Sequence, residues 1–283
     1  MSDLLIALNT LSGLHLNSLN ELYTGSNRIN NQGVAFELFI RDIFSNSLNV
    51  KDQEIRENLY QSTFSYFGNQ NNPPDLILKN GDAIEIKKIE SNSTIALNSS
   101  YPKQKLKITD SRITNACKNC EDSTWQEKDI LYIIGKINKK SKKIEVIWFL
   151  YGDCYAASAE VYEKILDSMK SGIYDLQDIE LIPTNEIAKV NKVDPLGITD
   201  FRVRGMWHIK NPIHVFESVY NEYSNTKTTI VCLMPEIKFK TFLQSSQSLI
   251  LENKKINIKD VEIKSPDNPV KKIKAKLINF LVQ

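Results

Sequence analysis

Apolar residues recur at helical spacing in three stretches of the chain, and each stretch predicts a helix. The first covers residues 33–46, the second 156–170 and the third 212–223. Asn211 and Pro212 stand where an N-cap and a first helical residue are expected, because asparagine caps a helix and proline needs no backbone donor at that position. The pattern therefore predicts helices in the first, middle and last thirds of the chain.

Runs rich in β-branched and aromatic residues predict strands between these helices. They cover residues 129–137, 144–151 and 228–233, and a short helical pattern follows Pro235. Strands that alternate with helices are typical of an α/β fold built on a central sheet. We therefore expect residues 1–283 to form a single α/β domain, with a central mixed β-sheet flanked by helices.

Two further apolar runs flank Asn80-Gly81, a sequence that favours a tight β-hairpin. With a two-residue loop, Asp75 on the first strand would face away from Glu85 on the second. With a three-residue loop that has Gly81 in the left-handed conformation, Asp75 lies opposite Glu85, with Cβ atoms roughly 5 Å apart. We favour the second register, because a cation held between two facing carboxylates would explain them.

The residue types in this hairpin are those that a metal-dependent nuclease needs. Magnesium is usually held by one or two carboxylates together with a substrate phosphate. Bound to Asp75 and Glu85, it would lower the pKa of a water molecule beside a phosphodiester. Lys87 shares a strand face with Glu85 and would stabilise the negative charge that develops. Glu37, on the predicted helix 33–46, is either a third metal ligand or a surface carboxylate.

Composition sets wide limits on the function. The 283 residues carry a net charge of +2, so bulk charge does not indicate a polyanion partner. Neither a signal peptide nor a membrane-spanning apolar run is found, and we expect a cytoplasmic protein. Four cysteines do not make a disulfide framework in a chain of this length. Cys117 and Cys120 have the spacing of a zinc knuckle but lack a second pair, so reduced thiols are expected.

The segment 193–208 is the second unusual stretch. Arg202 and Arg204 alternate along an extended run, so their side chains are expected to share a face. Gly205 permits a close backbone approach, and Trp207 offers a rigid flat surface. The arginines are either structural, in salt bridges, or they contact guanine and phosphate in DNA.

Several of these motifs together are similar to the NgoPII-type family of type II restriction endonucleases, within the PD-(D/E)XK nuclease superfamily. The similarity is most specific in Tyr66-Phe-Gly-Asn-Gln-Asn-Asn-Pro-Pro-Asp75 and in the run from Asp194 to Trp207. Matching stretches are distributed over most of the chain, at residues 26–30, 66–75, 81–87, 96–102, 194–198 and 202–207.

The resemblance implies an activity, a cofactor and partners. A member of this family is expected to be a homodimer that cuts the palindrome GGCC in double-stranded DNA with Mg²⁺, using one active site per strand. Family membership implies that Asp75, Glu85 and Lys87 are catalytic. It also implies a cognate DNA methyltransferase that acts on the same site and need not bind the endonuclease.

Which residues read the bases is a separate inference from chemistry. A site of G·C pairs presents guanine acceptors in the major groove, and arginine matches them best, which favours Arg202 and Arg204. Residues just after the hairpin are second choices for base or phosphate contact. Residues before the 33–46 helix are candidates for contact with DNA or with the partner subunit. These additional candidates are Asn98, Ser99, Ser100, Lys103, Arg28, Asn30 and Gln32.

Two alternative functions stay open on the sequence. A structure-directed repair or recombination nuclease of the same fold would cut branched or damaged DNA regardless of sequence. A catalytically inactive DNA-binding protein would bind DNA without hydrolysing it. The complete set of Asp75, Glu85 and Lys87 argues against the inactive binder, because clustered carboxylates beside phosphate hinder binding unless a cation joins them.

Overall fold

The fold is taken from a computed structural model, which describes most of the chain. The described residues are 2–16, 19, 32–69, 72–98, 100–122, 124–174, 180–181, 187–196 and 198–283. The predicted site residues Arg28, Asn30 and Ser99 lie outside them. The Asn98 backbone is described, but its side chain is not.

Helices of very different lengths flank the sheet. Two of them begin at aspartates whose side chains accept a backbone N–H three residues on, Asp3 from Ile6 at 2.9 Å and Asp52 from Ile55 at 3.0 Å. The helices are α1 (Leu4–Ser12), α2 (Gln32–Ser45), α3 (Gln53–Thr63), α4 (Asn115–Lys118), α5 (Gly152–Tyr155), α6 (Ala159–Tyr174), α7 (Pro212–Val215), α8 (Glu236–Thr241) and α9 (Gln244–Leu251).

Strands form one large sheet and two small ones. They are β1 (Phe64–Asn69), β2 (Asn72–Leu78), β3 (Ala83–Ile89), β4 (Ile95–Asn98), β5 (Lys105–Lys107), β6 (Glu127–Ile137), β7 (Ile144–Tyr151), β8 (Glu180–Leu181), β9 (Ala188–Asn191), β10 (Phe201–Val203), β11 (Trp207–Ile209), β12 (Thr228–Pro235), β13 (Asn257–Lys264) and β14 (Lys272–Val282).

The large sheet has the strand order β1-β2-β3-β6-β7-β12-β14-β13, and β5 joins it by pairing with β6. Strands β3 and β6 run parallel, as do β7 and β12, whereas the other neighbours are antiparallel. The small sheets are β10-β9-β8 and β11-β4. The prediction of an α/β fold with a central mixed sheet and flanking helices is confirmed.

Each face of the large sheet carries its own hydrophobic core, because side chains alternate between the faces along a strand. The first core joins Leu76, Ile84 and Phe149 to the buried faces of α1 and α2. Helix α2 comes so close that a Cβ on Gly135 of β6 would meet the Phe36 ring at 2.2 Å. The second core contains Ile77, Ala83, Tyr132 and Trp148, packed against Trp125, Tyr155 and Phe216 among others. Burial of both faces fixes the strand registers.

The predicted elements are found, with shifted ends. The helix expected at 212–223 ends at Val215, although Asn211 caps it as expected by accepting the Ile213 N–H at 3.1 Å. The helix expected at 156–170 begins at Ala159, because β7 leads first into the short α5. In the part of the chain that the structure describes, no helix is both long and apolar enough to cross a membrane.

Candidate active site

The hairpin of β2 and β3 has the register that brings its carboxylates together. Leu76 pairs with Ile84 and Ile77 with Ala83, so position 75 lies opposite position 85. The Leu78 N–H donates to the Asp82 carbonyl at 3.0 Å, which closes a three-residue loop. The prediction of a three-residue rather than a two-residue loop is confirmed.

The predicted conformation of that loop was wrong in one detail. The left-handed residue is Asn80, with φ of 53°, and not Gly81. Asparagine tolerates this conformation better than most non-glycine residues. Two charged residues hold the turn: the Glu121 carboxylate accepts the Asn80 N–H at 3.2 Å, and the Lys128 ammonium donates to the Gly81 carbonyl at 3.1 Å. Lys128 also pairs with Glu121 at 2.9 Å, so the hairpin is fixed at its closed end.

The neighbouring strand presses directly on the start of β2. A Cβ added to Gly68 of β1 would lie 2.1 Å from the Pro74 carbonyl oxygen and 3.1 Å from the Asp75 Cα. Only glycine fits there, and the pairing of β1 with β2 is irregular at this point. Gly68 therefore helps to set the backbone position of Asp75. Sequence reasoning missed this role, although a glycine within a strand is a usual sign of close backbone approach.

The two facing carboxylates are incompletely paired. Asp75 Oδ2 accepts the Ile86 N–H at 2.6 Å, and Glu85 Oε1 accepts from the Lys87 ammonium at 2.6 Å. Glu85 Oε2 is buried and has no hydrogen-bond partner. A buried carboxylate oxygen that no protein group contacts is costly, so a donor or a cation from outside the protein is expected at this position.

The pKa values of the site reflect the same shortage of partners for the two carboxylates. Burial first, and then the charge of Glu85, raise the pKa of Asp75 to about 7. Burial by itself would lower the pKa of Lys87, but the negative charges of Glu85 and Asp75 outweigh it and raise that pKa. The ammonium is therefore held in its charged form, while the carboxylate pair carries more negative charge than one lysine neutralises.

These residues fit a divalent cation. Two carboxylates on facing strands, one with an unpartnered oxygen, match the small number of protein ligands that Mg²⁺ takes when a substrate phosphate supplies others. Within the described ranges, no group of three or more His, Cys, Asp or Glu residues is placed to hold a metal ion. A cation at this site would therefore depend on waters and substrate for its remaining ligands.

The prediction of Glu37 as a third metal ligand is not supported by this geometry. Glu37 lies on α2, which packs on the sheet face of the first core. The strand neighbours of Asp75 and Glu85 belong to that core, so these two carboxylates point to the opposite face of the sheet. Its carboxylate is 3.9 Å from the Arg41 guanidinium and is 40% exposed. Burial raises the pKa of Glu37, and its charge still acts on Asp75 and Lys87.

The catalytic candidates open onto a large cleft of about 1170 Å³. Asp75, Glu85 and Lys87 line one part of it, and Arg204 with Trp207 lines another. Helix α6 contributes a polar face, and the segment after β4 contributes Ser100, Tyr101 and Lys103. The lining residues named in this paragraph lie far apart in sequence, so the cleft joins the two regions that were singled out from their motifs.

The DNA-contact candidates divide into those in the cleft and those elsewhere. Arg204 and Ser100 line the cleft, but Arg202 is not among its described lining residues and lies opposite Lys189 in the β9–β10 pair. Lys103 lines the cleft with only 6% of its side chain exposed, and its ammonium pairs with Asp110 at 2.6 Å. This ion pair holds the Lys103 ammonium in the cleft wall, and the contact of Lys103 with base or phosphate stays a prediction.

Two further candidates are placed less directly. Gln32 is the first residue of α2 and is half-buried, with an Oε1 atom that has no hydrogen-bond partner. The Asn98 backbone pairs with Trp207 across the β4–β11 ladder, which ties the segment after the hairpin to the arginine-bearing segment. The cysteine pair is separate from the site: Cys117 lies in the second core, and burial raises its pKa to about 12.

An aromatic cluster that sequence reasoning missed forms one corner of the cleft. The Tyr162 ring on α6 lies 5.2 Å from Tyr101 and 5.5 Å from Trp207, measured between ring centroids. The Tyr101 hydroxyl donates to Glu163 at 2.8 Å, which ties α6 to the segment after β4. No local sequence signal marks this cluster, because its members come from three separate elements.

A mixed sheet with facing carboxylates and a lysine, open to a cleft that also holds an arginine, fits the restriction-endonuclease class. The family model described as NgoPII restriction endonuclease matches residues 2–264, and the chain belongs to this family. The chain is 43% identical over 256 residues to the Type II restriction enzyme NgoPII of Neisseria gonorrhoeae, covering 90% of this chain and 91% of that one. No solved structure matches it.

Membership in this family identifies the enzyme class. The protein is a type II restriction endonuclease, a site-specific deoxyribonuclease, and enzymes of this class depend on a divalent cation. DNA is its substrate.

Proposed function

We propose that this endonuclease makes Mg²⁺-dependent double-strand cuts at the palindrome GGCC, with Asp75, Glu85 and Lys87 as its catalytic residues. The observation that carries the assignment of these residues is the buried, unpartnered Glu85 Oε2 opposite Asp75 at the edge of the cleft. A structural ion pair would have satisfied this oxygen internally. A site that awaits a cation leaves it unpaired.

The side chains have distinct roles in this proposal. Asp75 and Glu85 would hold Mg²⁺, whose charge polarises the scissile phosphate and lowers the pKa of a water molecule. The Lys87 ammonium donates to a non-bridging phosphate oxygen and stabilises the negative charge that grows there during attack. The Ile86 N–H bond to Asp75 keeps that carboxylate aimed across the hairpin. Closure of the hairpin by Glu121 and Lys128 limits its movement.

Recognition is assigned first to Arg204. It shares the cleft with the catalytic residues, and a guanidinium fork matches the O6 and N7 acceptors of guanine. Arg202 is a weaker candidate, because it is not among the described lining residues. The two-fold symmetry of GGCC is met most simply by a homodimer with one active site per strand. A methyltransferase that modifies the same sequence would protect the host DNA without binding the enzyme.

Digestion of plasmid DNA tests the proposal. Purified protein with Mg²⁺ is expected to give discrete bands whose sequenced ends all lie within GGCC, and excess EDTA is expected to prevent cutting. Bands at another sequence would contradict the GGCC assignment alone. A smear, or cutting of branched DNA only, would indicate a structure-directed nuclease, and intact plasmid with Mg²⁺ and with Mn²⁺ would reject the catalytic assignment.

A further inference from the structure

Helix α6 has an apolar face that nothing in the described structure covers. None of the described side chains of this 16-residue helix is buried. Its polar face, with Glu160, Glu163, Asp167 and Lys170, lines the cleft. On the opposite side, at four-residue spacing, the side chains with large exposed apolar area are Val161, Ile165 and Met169, which are 45%, 45% and 52% exposed. Helices in proteins gain most of their stability by packing such a face, so α6 needs a partner.

A second exposed apolar surface extends from the same cleft. We call residues 187–206 the arm; they include β9 and β10, and all but residue 197 are described. The arm begins and ends at the cleft, where Ile187, Arg204 and Gly205 line the wall. Five large apolar side chains along it are exposed, and the two nearest its tip are over 79% exposed. These five are Val193, Leu196, Ile198, Phe201 and Met206.

Hydrogen bonds to one carboxylate connect the described residues at the tip of the arm. The Asp194 carboxylate accepts the backbone N–H groups of Leu196 at 3.0 Å, Ile198 at 3.2 Å and Thr199 at 2.7 Å. The Val193 N–H donates to the Thr199 carbonyl at 2.9 Å and closes the loop. An apolar tip fixed in this way loses little conformational entropy when it is covered, which favours binding.

The two apolar surfaces belong to neighbouring parts of the molecule. Tyr162, next to Val161, packs against Trp207, next to Met206, with ring centroids 5.5 Å apart. The elements that carry these surfaces also line the cleft, α6 with its polar face and the arm with Ile187 and Arg204. A partner placed against α6 therefore lies beside the arm and beside the DNA cleft.

We propose that the outer face of α6 and the apolar side chains of the arm form the surface at which a second copy of this chain binds. The inference rests on the proposed function, in which two active sites act on one palindrome. The eight exposed side chains offer on the order of 500 Å² of apolar area. A stable interface buries about 800 Å² per partner, a little over half of it apolar, or roughly 450 Å². The three side chains of the helix face by themselves would supply only about a third of the apolar area that such an interface buries.

The composition of the surface favours protein over DNA as its occupant. Interfaces with DNA are more polar and much more positive than interfaces between proteins, whereas the eight side chains here are all aliphatic, aromatic or thioether groups. Of the basic residues of the arm, Arg204 lines the cleft and Lys189 pairs with Asp200 at 2.9 Å. The location also fits, because α6 is the wall between the cleft and this surface. Two such helices packed at about 8–10 Å would keep two clefts close to a four-base-pair site, which spans roughly 14 Å.

Analytical ultracentrifugation of serine variants tests this inference. The arm variant combines Leu196→Ser with Ile198→Ser, and the helix variant combines Ile165→Ser with Met169→Ser. A matched control combines Ile237→Ser with Leu251→Ser, two exposed apolar positions on α8 and α9, over the first core. We expect a dimeric wild type, a dimer Kd raised at least tenfold in both test variants, and an unchanged Kd in the control.

Three results would overturn the inference. These are a monomeric wild type at the concentrations that cut DNA, test variants that dimerise as tightly as wild type, and dimeric variants that bind a GGCC duplex more weakly in Ca²⁺. The last would identify the surface as a DNA contact. Circular dichroism checks that each variant is folded. Plasmid digestion by the wild type reports cleavage separately. A wild type that cuts GGCC as a monomer would reject this inference and the proposed homodimer, and would leave the GGCC and catalytic assignments standing.

Discussion

The β2–β3 hairpin carries two buried acidic regions that differ in how their charge is balanced. At Asp82, both carboxylate oxygens are satisfied: Oδ1 accepts from the Lys238 ammonium at 2.6 Å and Oδ2 from the Tyr151 hydroxyl at 2.5 Å. Lys238 also pairs with Asp129 at 2.6 Å, and Asp129 has a second ammonium partner in Lys105. At Asp75 and Glu85, one lysine faces two carboxylates, and Glu85 Oε2 has no partner.

The difference separates a structural group from a functional one. Burial is the largest cause of a raised pKa at both Asp82 and Asp75, so desolvation does not distinguish them. What distinguishes them is the origin of the balancing cation. Lys238 provides it from within the fold at Asp82, whereas at Asp75 and Glu85 the fold supplies only Lys87 and the proposed second cation would come from solution. Perturbed ionisation marks candidate functional groups, but the state of the hydrogen bonds shows which candidates are incomplete.

The largest expected effect is on catalysis, at Lys87. Lys87→Ala should reduce the single-turnover rate of GGCC cleavage by at least about 10³-fold, because it removes the ammonium that stabilises the transition-state charge. Binding of a GGCC duplex in Ca²⁺ should change little, since the DNA surface outside the scissile phosphate is intact. Lys88→Ala is the matched control, because the next lysine on β3 pairs with Glu90 instead. Cleavage at the wild-type rate by the Lys87 variant would show that the lysine is not catalytic.

Lys238 tests the structural half of the comparison. Lys238→Met should lower the free energy of unfolding by about 3–5 kcal/mol, because it leaves Asp82 and Asp129 without their shared buried cation. Lys240→Met is the control: that lysine is 67% exposed in its pair with Glu236, and its loss should cost under about 1 kcal/mol. Urea unfolding measures both, and equal effects in the two variants would remove the distinction between the acidic regions.

The hairpin also shows how far sequence reasoning reaches. The Asn80-Gly81 signal and the charge pattern were enough to predict the register that opposes Asp75 and Glu85, because turn chemistry and strand alternation are local. The prediction that Gly81 is the left-handed turn residue was wrong: that residue is Asn80, whose N–H donates to Glu121, from another part of the chain. The ion network at Asp82 was also missed, because Lys238 is 156 residues away in the sequence.

The cleft was harder to predict than the sheet. Arg204 was named from its spacing, and its position in the cleft was not derivable, because it depends on β11 pairing with β4. Lys103 was predicted to contact base or phosphate, and nothing in its local sequence indicates the pair with Asp110 or the Tyr101 ring 4.3 Å from its ammonium. Local patterns identify residue types suited to a reaction, and tertiary contacts decide which of them are available.

Asp75 tests the stability cost of an incomplete site. Its pKa of about 7 in the folded protein exceeds the value near 4 of an unfolded chain, so the folded state binds more protons between these pH values. Its contribution to stability is therefore full below about pH 4 and is lost as pH rises through about 7. In EDTA, Asp75→Asn should be more stable than wild type at pH 8, by about 2 kcal/mol, since an amide can still accept the Ile86 N–H.

The same stability difference should fall to about 0.5 kcal/mol at pH 4, where the wild-type carboxyl is protonated in the folded state and about half protonated in the unfolded chain. Urea unfolding at the two pH values measures it. Asp260→Asn is the control, because that carboxylate is 77% exposed in its pair with Lys276 and its removal should have little effect at either pH. An Asp75 variant that is less stable than wild type at pH 8 without divalent ions would mean that the carboxylate is already balanced within the fold.

The smallest expected effect is at Glu37, the third carboxylate near the site. Glu37→Gln should change the cleavage rate by less than about tenfold, because the residue acts on Asp75 and Lys87 only through its charge. Removal of a group in direct contact with the reacting atoms costs more, about 10²–10³-fold in rate. Glu85→Gln, measured beside it, should show that larger loss. Titration of cleavage with Mg²⁺ separates the roles further, since losing a ligand raises the half-saturating concentration and losing a distant charge hardly moves it. A loss of rate above about 100-fold, together with a raised half-saturating Mg²⁺ concentration, would show that Glu37 is a metal ligand. In that case α2 would have to move toward the cleft when DNA binds.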